Sequence, residues 1–262
     1  MDRQSVEQHL TARRSHWQFF DTVDSTNTRC RELLAQDAPD GTVVVASGQT
    51  AGRGRRGRSF QSPQGMGIYL SVLWRPAEPE PQLLAVPALG ALATCRAIAR
   101  VSPAQAAIKW PNDLVYRDKK ICGMLTELVL DGHGRPGVIL GIGINVRQRP
   151  EDFSPEVRPI ASSLEQETGA PVSRSALAAA LMEELDALRP QAFAHPERWA
   201  AAYRSACLTI GREVRIITAA QEYTAQAVDV DDTFALVVEL PDGSRRTVRS
   251  GEASVRGLYG YV

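Results

Sequence analysis

The chain lacks most of the features that mark secreted and metal-binding proteins. None of its four cysteines forms a CxxC pair, so in a reducing compartment we expect thiols that fill the core. Its four histidines are scattered and show no HxxxH spacing, which disfavours a zinc site or a histidine-based triad. The sequence therefore predicts no metal bound by protein side chains alone.

Long apolar runs and an excess of one charge are also missing. The longest apolar stretch, residues 83–93, is interrupted by Pro87 and Gly90 and is far shorter than the ~20 residues of a membrane span. The first ten residues contain no apolar signal region. Lys plus Arg equals Asp plus Glu at 30 each, so no global positive charge holds nucleic acid or an anionic membrane. We expect a cytoplasmic protein without a membrane partner.

The 262 residues and 44% apolar content suit one substantial domain and one small one. Apolar periodicity predicts helices at 24–35, at 82–100 with a break near Pro87, through Leu177–Leu188, and through Trp199 and Tyr203. Strands are predicted at 17–20, 42–47, 68–74, 106–110, 121–130 and 137–146. Short connections between strands favour an α+β fold with an antiparallel or mixed sheet and helices packed on one side. From Gly211 onward, short alternating strands predict a small barrel-like domain.

An arginine-rich loop is the strongest local charge signal. From Gly41 to Ala77 there is no carboxylate, and four arginines alternate with glycines in residues 52–58, GRGRRGR. Glycine allows a close backbone approach but makes the loop costly to order, and charge-assisted hydrogen bonds to a phosphate could offset that cost. The pattern favours a loop that folds over a phosphorylated ligand. A solvated turn or an RNA contact remains open, although no aromatic residue is interleaved for base stacking.

Three further segments carry polar groups at strand ends. Residues 109–113, KWPND, are also typical of an ordinary Asx turn. Lys120 begins a segment with Gly123 in the predicted strand, where glycine often marks close ligand approach, although a lysine there is usually a solvated edge residue. Residues 141–146, GIGINV, could equally be a tight strand end. Combined with the arginine loop, Lys120 becomes a candidate for gripping a carboxylate and the phosphate added to it.

In order and spacing, these segments resemble the biotin protein ligase family over nearly the whole chain. The matching pieces are Asp24–Asn27, the loop from Gln49 to Arg58, Lys109–Leu114, Lys120–Gly123 with Glu127, Gly141–Val146, and the C-terminal Gly251–Arg256. The resemblance implies a catalytic domain at 1–209, similar to class II aminoacyl-tRNA synthetases, and an SH3-like β-barrel at 210–262. It also implies ATP-dependent formation of biotinyl-5′-AMP, followed by transfer of biotin to a lysine of a biotin carboxyl carrier protein.

The same resemblance implies three overlapping sets of site residues. The expected catalytic residues are Arg53, Arg55, Asp113 and Lys120, with Asp113 assisting deprotonation of the acceptor lysine. The expected biotin-binding residues are Ser25, Thr26, Asn27, Gln49, Arg53, Gly54, Arg55, Lys120 and Gly123. The expected nucleotide-binding residues are Arg55, Arg58, Phe60, Trp110, Asn112, Asp113 and Asn145. Mg²⁺ is expected to arrive with ATP, and no prosthetic group is implied.

The sequence departs from the family pattern in two places, at the start of the chain and at position 60. The chain begins almost at the catalytic domain, so a DNA-binding role is not expected, while a homodimer is a possible assembly. Position 60 is phenylalanine, where the family commonly has tryptophan, so stacking on the adenine base should be weaker.

The sequence leaves two alternative functions open, and it does not decide the role of the C-terminal domain. A lipoate protein ligase would share the adenylation chemistry, and a nucleic-acid-binding module would use the arginine loop and the small barrel. The C-terminal domain could be purely structural or could help to seat ATP or the acceptor; the sequence favours neither.

Overall fold

The computed structural model describes residues 1–12, 14–76, 85–191, 193–218, 221–249, 254–257 and 261. Within them, two β-sheets follow each other along the chain and share a hydrophobic core with five of the six α-helices, while the sixth packs in a second cluster. The larger sheet carries the side chains that line the candidate site.

The larger sheet is mixed, as the spacing of the strands predicted. Its first two strands run parallel, and every other neighbouring pair is antiparallel. In spatial order β1-β2-β3-β7-β6-β5-β4, the seven strands are β1 (Trp17–Val23), β2 (Thr42–Gln49), β3 (Gly67–Trp74), β4 (Ala107–Lys109), β5 (Asp113–Tyr116), β6 (Lys119–Leu130) and β7 (Pro136–Asn145). Strand β5 was not predicted, because Asp113 was assigned to a turn.

The prediction that the helices pack on one side of this sheet is wrong. Helix α2 (Thr26–Ala35) covers one face, where Leu33 and Leu34 pack against Leu73. Helices α3 (Ala85–Val101) and α5 (Arg174–Leu188) cover the opposite face, where Val45 is buried. The physical reason is visible in β2 and β3, whose nearly continuous apolar runs are typical of strands buried on both faces.

Helix α3 is continuous through Pro87, contrary to the predicted break. Pro87 is the third residue of the helix, and proline is tolerated in the first turn, where backbone N–H groups have no partner within the helix. The predicted residues 82–84 lie outside the described residues.

The remaining helices complete the packing of the core. They are α1 (Arg3–Glu7), α4 (Leu164–Thr168) and α6 (Ala200–Ala206). The leucine stripe predicted in α5 is buried at Leu177, Leu181, Leu185 and Leu188. Among the helices of the described ranges, none combines the length and apolar character required to cross a membrane.

The C-terminal part forms an antiparallel sheet of five strands. In spatial order β11-β10-β9-β8-β12, they are β8 (Glu213–Ile217), β9 (Glu222–Val230), β10 (Leu236–Glu239), β11 (Arg245–Val248) and β12 (Ser254–Gly257). Within the described residues the two outer strands do not pair, so this sheet is open where a closed barrel was expected. Its apolar side belongs to the same core as the larger sheet, with the Tyr203 and Phe234 rings 5.4 Å apart.

Candidate functional site

Two adjoining clefts open on the face of the larger sheet that α2 only partly covers. The first cleft has an empty volume of about 470 Å³. It is lined by Ser25, Thr26, Asn27, Gln49, Arg53, Gly54, Arg55, Phe60, Asn112, Lys120, Gly123, Met124, Leu125, Gly141, Ile142 and Gly143. The second cleft, of about 1470 Å³, continues from it beneath the C-terminal sheet, and Gly54, Arg55, Phe60, Asn112 and Lys120 line both.

The wall of the first cleft at the start of α2 is polar and hydrogen-bonded. Ser25 occupies the N-cap position of the helix without using its side chain as the cap. The Gln49 Oε1 atom accepts hydrogen bonds from the Thr26 backbone N–H at 2.8 Å and from the Thr26 hydroxyl at 3.1 Å. Gln49 Nε2 in turn donates to the Ser62 Oγ at 2.8 Å. This wall presents neutral donors and acceptors to a ligand.

A second polar group lies beneath this wall. The Ser71 hydroxyl, fully buried on β3, lies 2.7 Å from the Thr26 Oγ1 and 2.6 Å from the Asn27 Oδ1. Asn27 Nδ2 donates to the Glu127 Oε2 at 2.8 Å. Asn27 therefore has a fixed orientation, because both ends of its amide are engaged.

Glycines on β6 and β7 form the floor of the first cleft. An added Cβ at Gly141 would lie 2.2 Å from the Asn27 Oδ1, and one at Gly143 would lie 2.4 Å from the Phe60 ring. Phe60 also packs edge-on against Tyr69, with ring centroids 6.5 Å apart. The missing side chains thus create the space that Asn27 and Phe60 use.

The arginine loop forms the rim between the two clefts. It contains a short 3₁₀ helix at Arg55–Gly57, and both Arg56 (φ 56°) and Gly57 (φ 72°) adopt left-handed backbone conformations. Arg53 forms an ion pair with Glu127 at 2.9 Å, whereas Arg55 Nη1 donates to the Asn112 Oδ1 at 2.8 Å. The loop therefore directs Arg53 towards Glu127 on β6 and Arg55 towards the border of the clefts.

An ion pair lies at that border. Lys120 Nζ is 2.7 Å from the Asp113 Oδ1, and Asn112 Nδ2 donates to the same oxygen at 3.3 Å. The Tyr261 hydroxyl donates to the other oxygen, Oδ2. Burial alone would raise the pKa of Asp113, but the charges of Lys120 and Lys109 and the hydrogen bonds hold it below its usual value. Asp113 is therefore ionised at neutral pH.

A second lysine lines the wall of the second cleft. Lys109 is buried, its Nζ lies 4.3 Å from the centroid of the Tyr261 ring, and it donates to the Val255 carbonyl at 3.4 Å. Burial lowers the pKa of Lys109 to about 8, although the Asp113 carboxylate partly offsets that effect.

Trp110 and Asn145 are held by other parts of the fold rather than projecting freely into the second cleft. The Trp110 indole N–H donates to the Phe234 carbonyl of the C-terminal sheet at 3.0 Å, and the peptide bond to Pro111 is cis. Asn145 Nδ2 donates to the Ser162 carbonyl at 3.0 Å. Both residues line the second cleft while contributing to its framework.

The structure brings the predicted residues together as two groups. All nine predicted biotin-binding residues line the first cleft, and all seven predicted nucleotide-binding residues line the second. Arg55 and Lys120, predicted from separate motifs, both lie at the border. Of the C-terminal motif, Gly251, Glu252 and Ala253 lie outside the described residues, whereas Arg256 lines the second cleft.

Sequence reasoning missed Ser71 and Tyr261. Ser71 interrupts the apolar run of β3, and that interruption was the signal available for a buried polar contact. Tyr261 stands next to the last residue in an unpatterned stretch, so no periodicity indicated that it reaches Asp113.

The two clefts differ in the chemistry that they can support. The first offers neutral donors and acceptors along its wall and has Arg53, Arg55 and Lys120 at its rim, whereas the second gathers cations that outnumber its carboxylates, Asp113 and Glu156. These cations are Arg55, Arg56, Arg58, Lys109, Lys120 and Arg256. Such a pair of clefts suits a neutral polar ring joined to a phosphate-bearing group. Within the described residues, no three His, Cys, Asp or Glu side chains are grouped to hold a metal ion.

Comparison with known proteins gives consistent matches. Residues 19–145 match the biotin/lipoate A/B protein ligase family, and residues 209–256 match the biotin protein ligase C-terminal domain. The chain is 34% identical to the biotin--[acetyl-CoA-carboxylase] ligase of Mycobacterium tuberculosis, covering 95% of this chain and 93% of the relative. It is also 34% identical to the bifunctional ligase/repressor BirA of Bacillus subtilis, covering 88% of this chain and 71% of the relative.

A solved structure shows the same fold. The biotin protein ligase from Aquifex aeolicus in complex with biotin and ATP superposes with a TM-score of 0.81 at 29% identity, covering 93% of this chain and all of the other.

Proposed function

This chain belongs to the biotin/lipoate A/B protein ligase family, and we propose that it is a biotin protein ligase. It joins biotin and ATP to form biotinyl-5′-AMP and pyrophosphate, then transfers biotin to a lysine of a biotin carboxyl carrier protein. One observation carries the proposal: a cleft with a wall of neutral polar side chains adjoins a cationic cleft, and Arg55 and Lys120 line both. Full-length similarity to a named biotin ligase, and to a structure holding biotin and ATP, supports it.

The first cleft suits the ureido ring of biotin. A buried urea needs both donors and acceptors, which the side chains of Ser25, Thr26, Asn27 and Gln49 supply. Gly123, Gly141 and Gly143 form the floor of this cleft, and their missing side chains let Asn27, Phe60 and Lys120 lie close to the sheet around the ligand. With the ring in this cleft, the valeryl carboxylate points towards Lys120 and Arg55.

Adenylation then takes place at the border. A carboxylate oxygen of biotin attacks the α-phosphorus of ATP, the new P–O bond forms, and the bond to the pyrophosphate oxygen breaks. Both reactants are anionic, so the charges of Lys120 and Arg55 lower their repulsion and stabilise the transition state. Positioning in adjoining clefts supplies much of the remaining rate enhancement, and no covalent enzyme intermediate is needed.

Transfer requires an acceptor amine that has lost its proton. The lysine amine of the carrier protein attacks the acyl carbon, an amide forms, the bond to AMP breaks, and the amine proton passes to solvent. Asp113 is ionised in the nucleotide cleft, and we assign it the role of accepting a hydrogen bond from the incoming amine once Lys120 has turned to the phosphate. Arg53, paired with Glu127 at the rim, helps to hold the loop closed over the adenylate.

Mg²⁺ belongs to the proposal as an ion that enters with ATP. Mg²⁺ usually keeps several waters and binds through phosphates with one or two carboxylates. The cleft fits that pattern, because Asp113 and Glu156 line it, while the described residues contain no three-ligand cluster. When bound, the ion neutralises phosphate charge during adenylation.

Several finer features of the family remain predictions for this chain. They are the synthetase-like character of the 1–209 domain, closure of residues 210–262 into an SH3-like barrel, a cytoplasmic location, a homodimer, and the lack of a role on DNA. The contacts of Val255 with Lys109 and of Phe234 with Trp110 favour a C-terminal domain that shapes the nucleotide cleft.

The direct test is incubation with ATP, biotin and a biotin carboxyl carrier domain, with product read by intact mass. We expect one biotin per acceptor and pyrophosphate release that depends on biotin. Lipoate in place of biotin is the matched control and should give no release. Pyrophosphate release with lipoate and not with biotin would identify the protein as a lipoate ligase. Salt-sensitive RNA binding without biotin-dependent ATP use would favour a nucleic-acid-binding module.

A further inference from the structure

Lysine is rare in this chain, and all three lysines are close together in sequence. Of the 30 Lys and Arg residues, only Lys109, Lys119 and Lys120 are lysines. A neutral lysine amine is a nucleophile towards a mixed acyl–phosphate anhydride, whereas arginine stays protonated. Lys109 and Lys120 both line the second cleft. If the proposed function holds, two amines of the protein lie beside its own reactive intermediate.

These two amines differ in how they are held. Lys120 forms an ion pair with the Asp113 carboxylate at 2.7 Å. Lys109 Nζ instead contacts two neutral groups, the Val255 carbonyl and the Tyr261 ring, and forms no ion pair within the described residues. Of the two lysines that line the second cleft, Lys109 is therefore the one that the adenylate would acylate more readily if its amine were uncovered.

The side chain of Tyr261 covers that amine. Lys109 Nζ lies over the face of the Tyr261 ring, 4.3 Å from its centroid. The same nitrogen donates a hydrogen bond to the Val255 carbonyl at 3.4 Å. The Tyr261 hydroxyl is anchored by its hydrogen bond to Asp113. As a result Lys109 is only 7% exposed although it lines a large open cleft.

We propose that Tyr261 shields Lys109 from acylation by the adenylate formed in the same cleft. The proposal rests on the proposed function and deepens it. Without the shield, the neutral Lys109 amine attacks the acyl carbon of biotinyl-5′-AMP, an amide bond forms, the bond from the acyl carbon to the phosphate oxygen breaks, AMP leaves, and the amine proton passes to solvent. The protein would then modify itself at a residue that lines its own nucleotide cleft.

The first experiment measures the shield without using enzymatic activity. An N-hydroxysuccinimide ester of acetate is added at pH 8 to the wild type, Tyr261→Phe and Tyr261→Ala, and peptide mapping follows each lysine. We expect Lys109 to react at least about tenfold faster in Tyr261→Ala than in the other two, because phenylalanine retains the ring. Lys119 lies outside both clefts and serves as the internal reference. Equal Lys109 rates in all three proteins would overturn the proposal.

The second experiment uses the adenylate itself. The same proteins are incubated with ATP and biotin without an acceptor, and self-acylation is normalised to the pyrophosphate released. We expect Tyr261→Ala to acquire biotin on Lys109. Adding Lys109→Arg to the Tyr261→Ala variant should abolish this labelling. Tyr223→Ala, in the same C-terminal sheet, is the control and should stay unlabelled. Label on Lys119 alone, or on Lys109 of the wild type, contradicts shielding.

Two further measurements keep the outcomes distinct. Thermal unfolding checks that Tyr261→Ala is folded, and Tyr261→Leu replaces it in both experiments if it is not. If the wild type releases no pyrophosphate with biotin, the proposed function fails, while the acetylation rates still decide whether Tyr261 covers Lys109.

Discussion

Lys120 Nζ lies 2.7 Å from the Asp113 Oδ1 at the point where the two clefts meet. Burial would raise the pKa of Asp113, but the charge of Lys120 helps to lower it. In the proposed reaction the same charge offsets the repulsion between a carboxylate and an α-phosphate.

Replacing Lys120 by glutamine should mainly impair adenylation. The variant loses the cation that offsets the charge of the reacting anions, and we expect kcat/KM for biotin-dependent pyrophosphate release to fall by about 10²–10³-fold. Lys119→Gln is the matched control, because Lys119 Nζ donates to the Pro159 carbonyl and lines neither cleft. Equal activity of the Lys120→Gln variant and the wild type would remove Lys120 from the mechanism.

Replacing Gly143 by alanine should damage ligand binding while leaving the fold intact. The new Cβ would lie 2.4 Å from the Phe60 ring, and a ring on a loop can move more easily than the sheet. We expect KM for biotin and ATP to rise by about tenfold or more, with thermal unfolding little changed. Gly132→Ala, whose Cβ meets no atom within 4 Å, should behave as the wild type. Unchanged KM values for Gly143→Ala would show that the position of Phe60 is unimportant.

Replacing Ser71 by alanine should affect both stability and biotin binding. The change removes the hydroxyl that lies 2.6 Å from the Asn27 Oδ1 and leaves buried polar atoms without that partner, at a cost of about 1–3 kcal/mol. Asn27 then loses its fixed orientation, so KM for biotin should rise while KM for ATP changes little. Urea unfolding and steady-state kinetics measure the two effects. Exposed Ser205→Ala on α6 is the control, and an equal rise in both KM values would argue against a specific role.

Lys109 should make stability depend on pH in the alkaline range. Its pKa of about 8 in the folded protein lies below the ordinary 10.5, so between these values the unfolded chain binds more protons and stability rises with pH. Relative to Lys109→Met, the wild type should gain on the order of 3 kcal/mol from pH 8 to pH 10.5. Urea unfolding at several pH values measures this gain.

The control for this prediction is Lys119→Met, whose free energy of unfolding should run parallel to that of the wild type across the same pH range. Parallel curves for Lys109→Met and the wild type would show that the pKa of Lys109 is not lowered in the folded protein.

Local patterns were sufficient for most of the elements. Helix α2, Thr26–Ala35, lies within the helix predicted at 24–35, and the leucine stripe of α5 is buried as its spacing required. These features depend on neighbours three or four residues apart, which a sequence displays directly. The motif residues could also be singled out, because a run of arginines between glycines, or a lysine close to a glycine in a predicted strand, is an uncommon short pattern.

The sequence by itself therefore determined most of the strands and helices and the chemical types gathered at the site. Only the tertiary structure decided that α2 lies on the opposite face from α3 and α5, that Arg53 turns to Glu127, and that Tyr261 reaches Asp113 across 148 positions of the chain. These contacts depend on how distant segments pack, and packing minimises the free energy of the whole core rather than of any short window. A residue near the chain end, such as Tyr261, shows its role only once its neighbours in space are known.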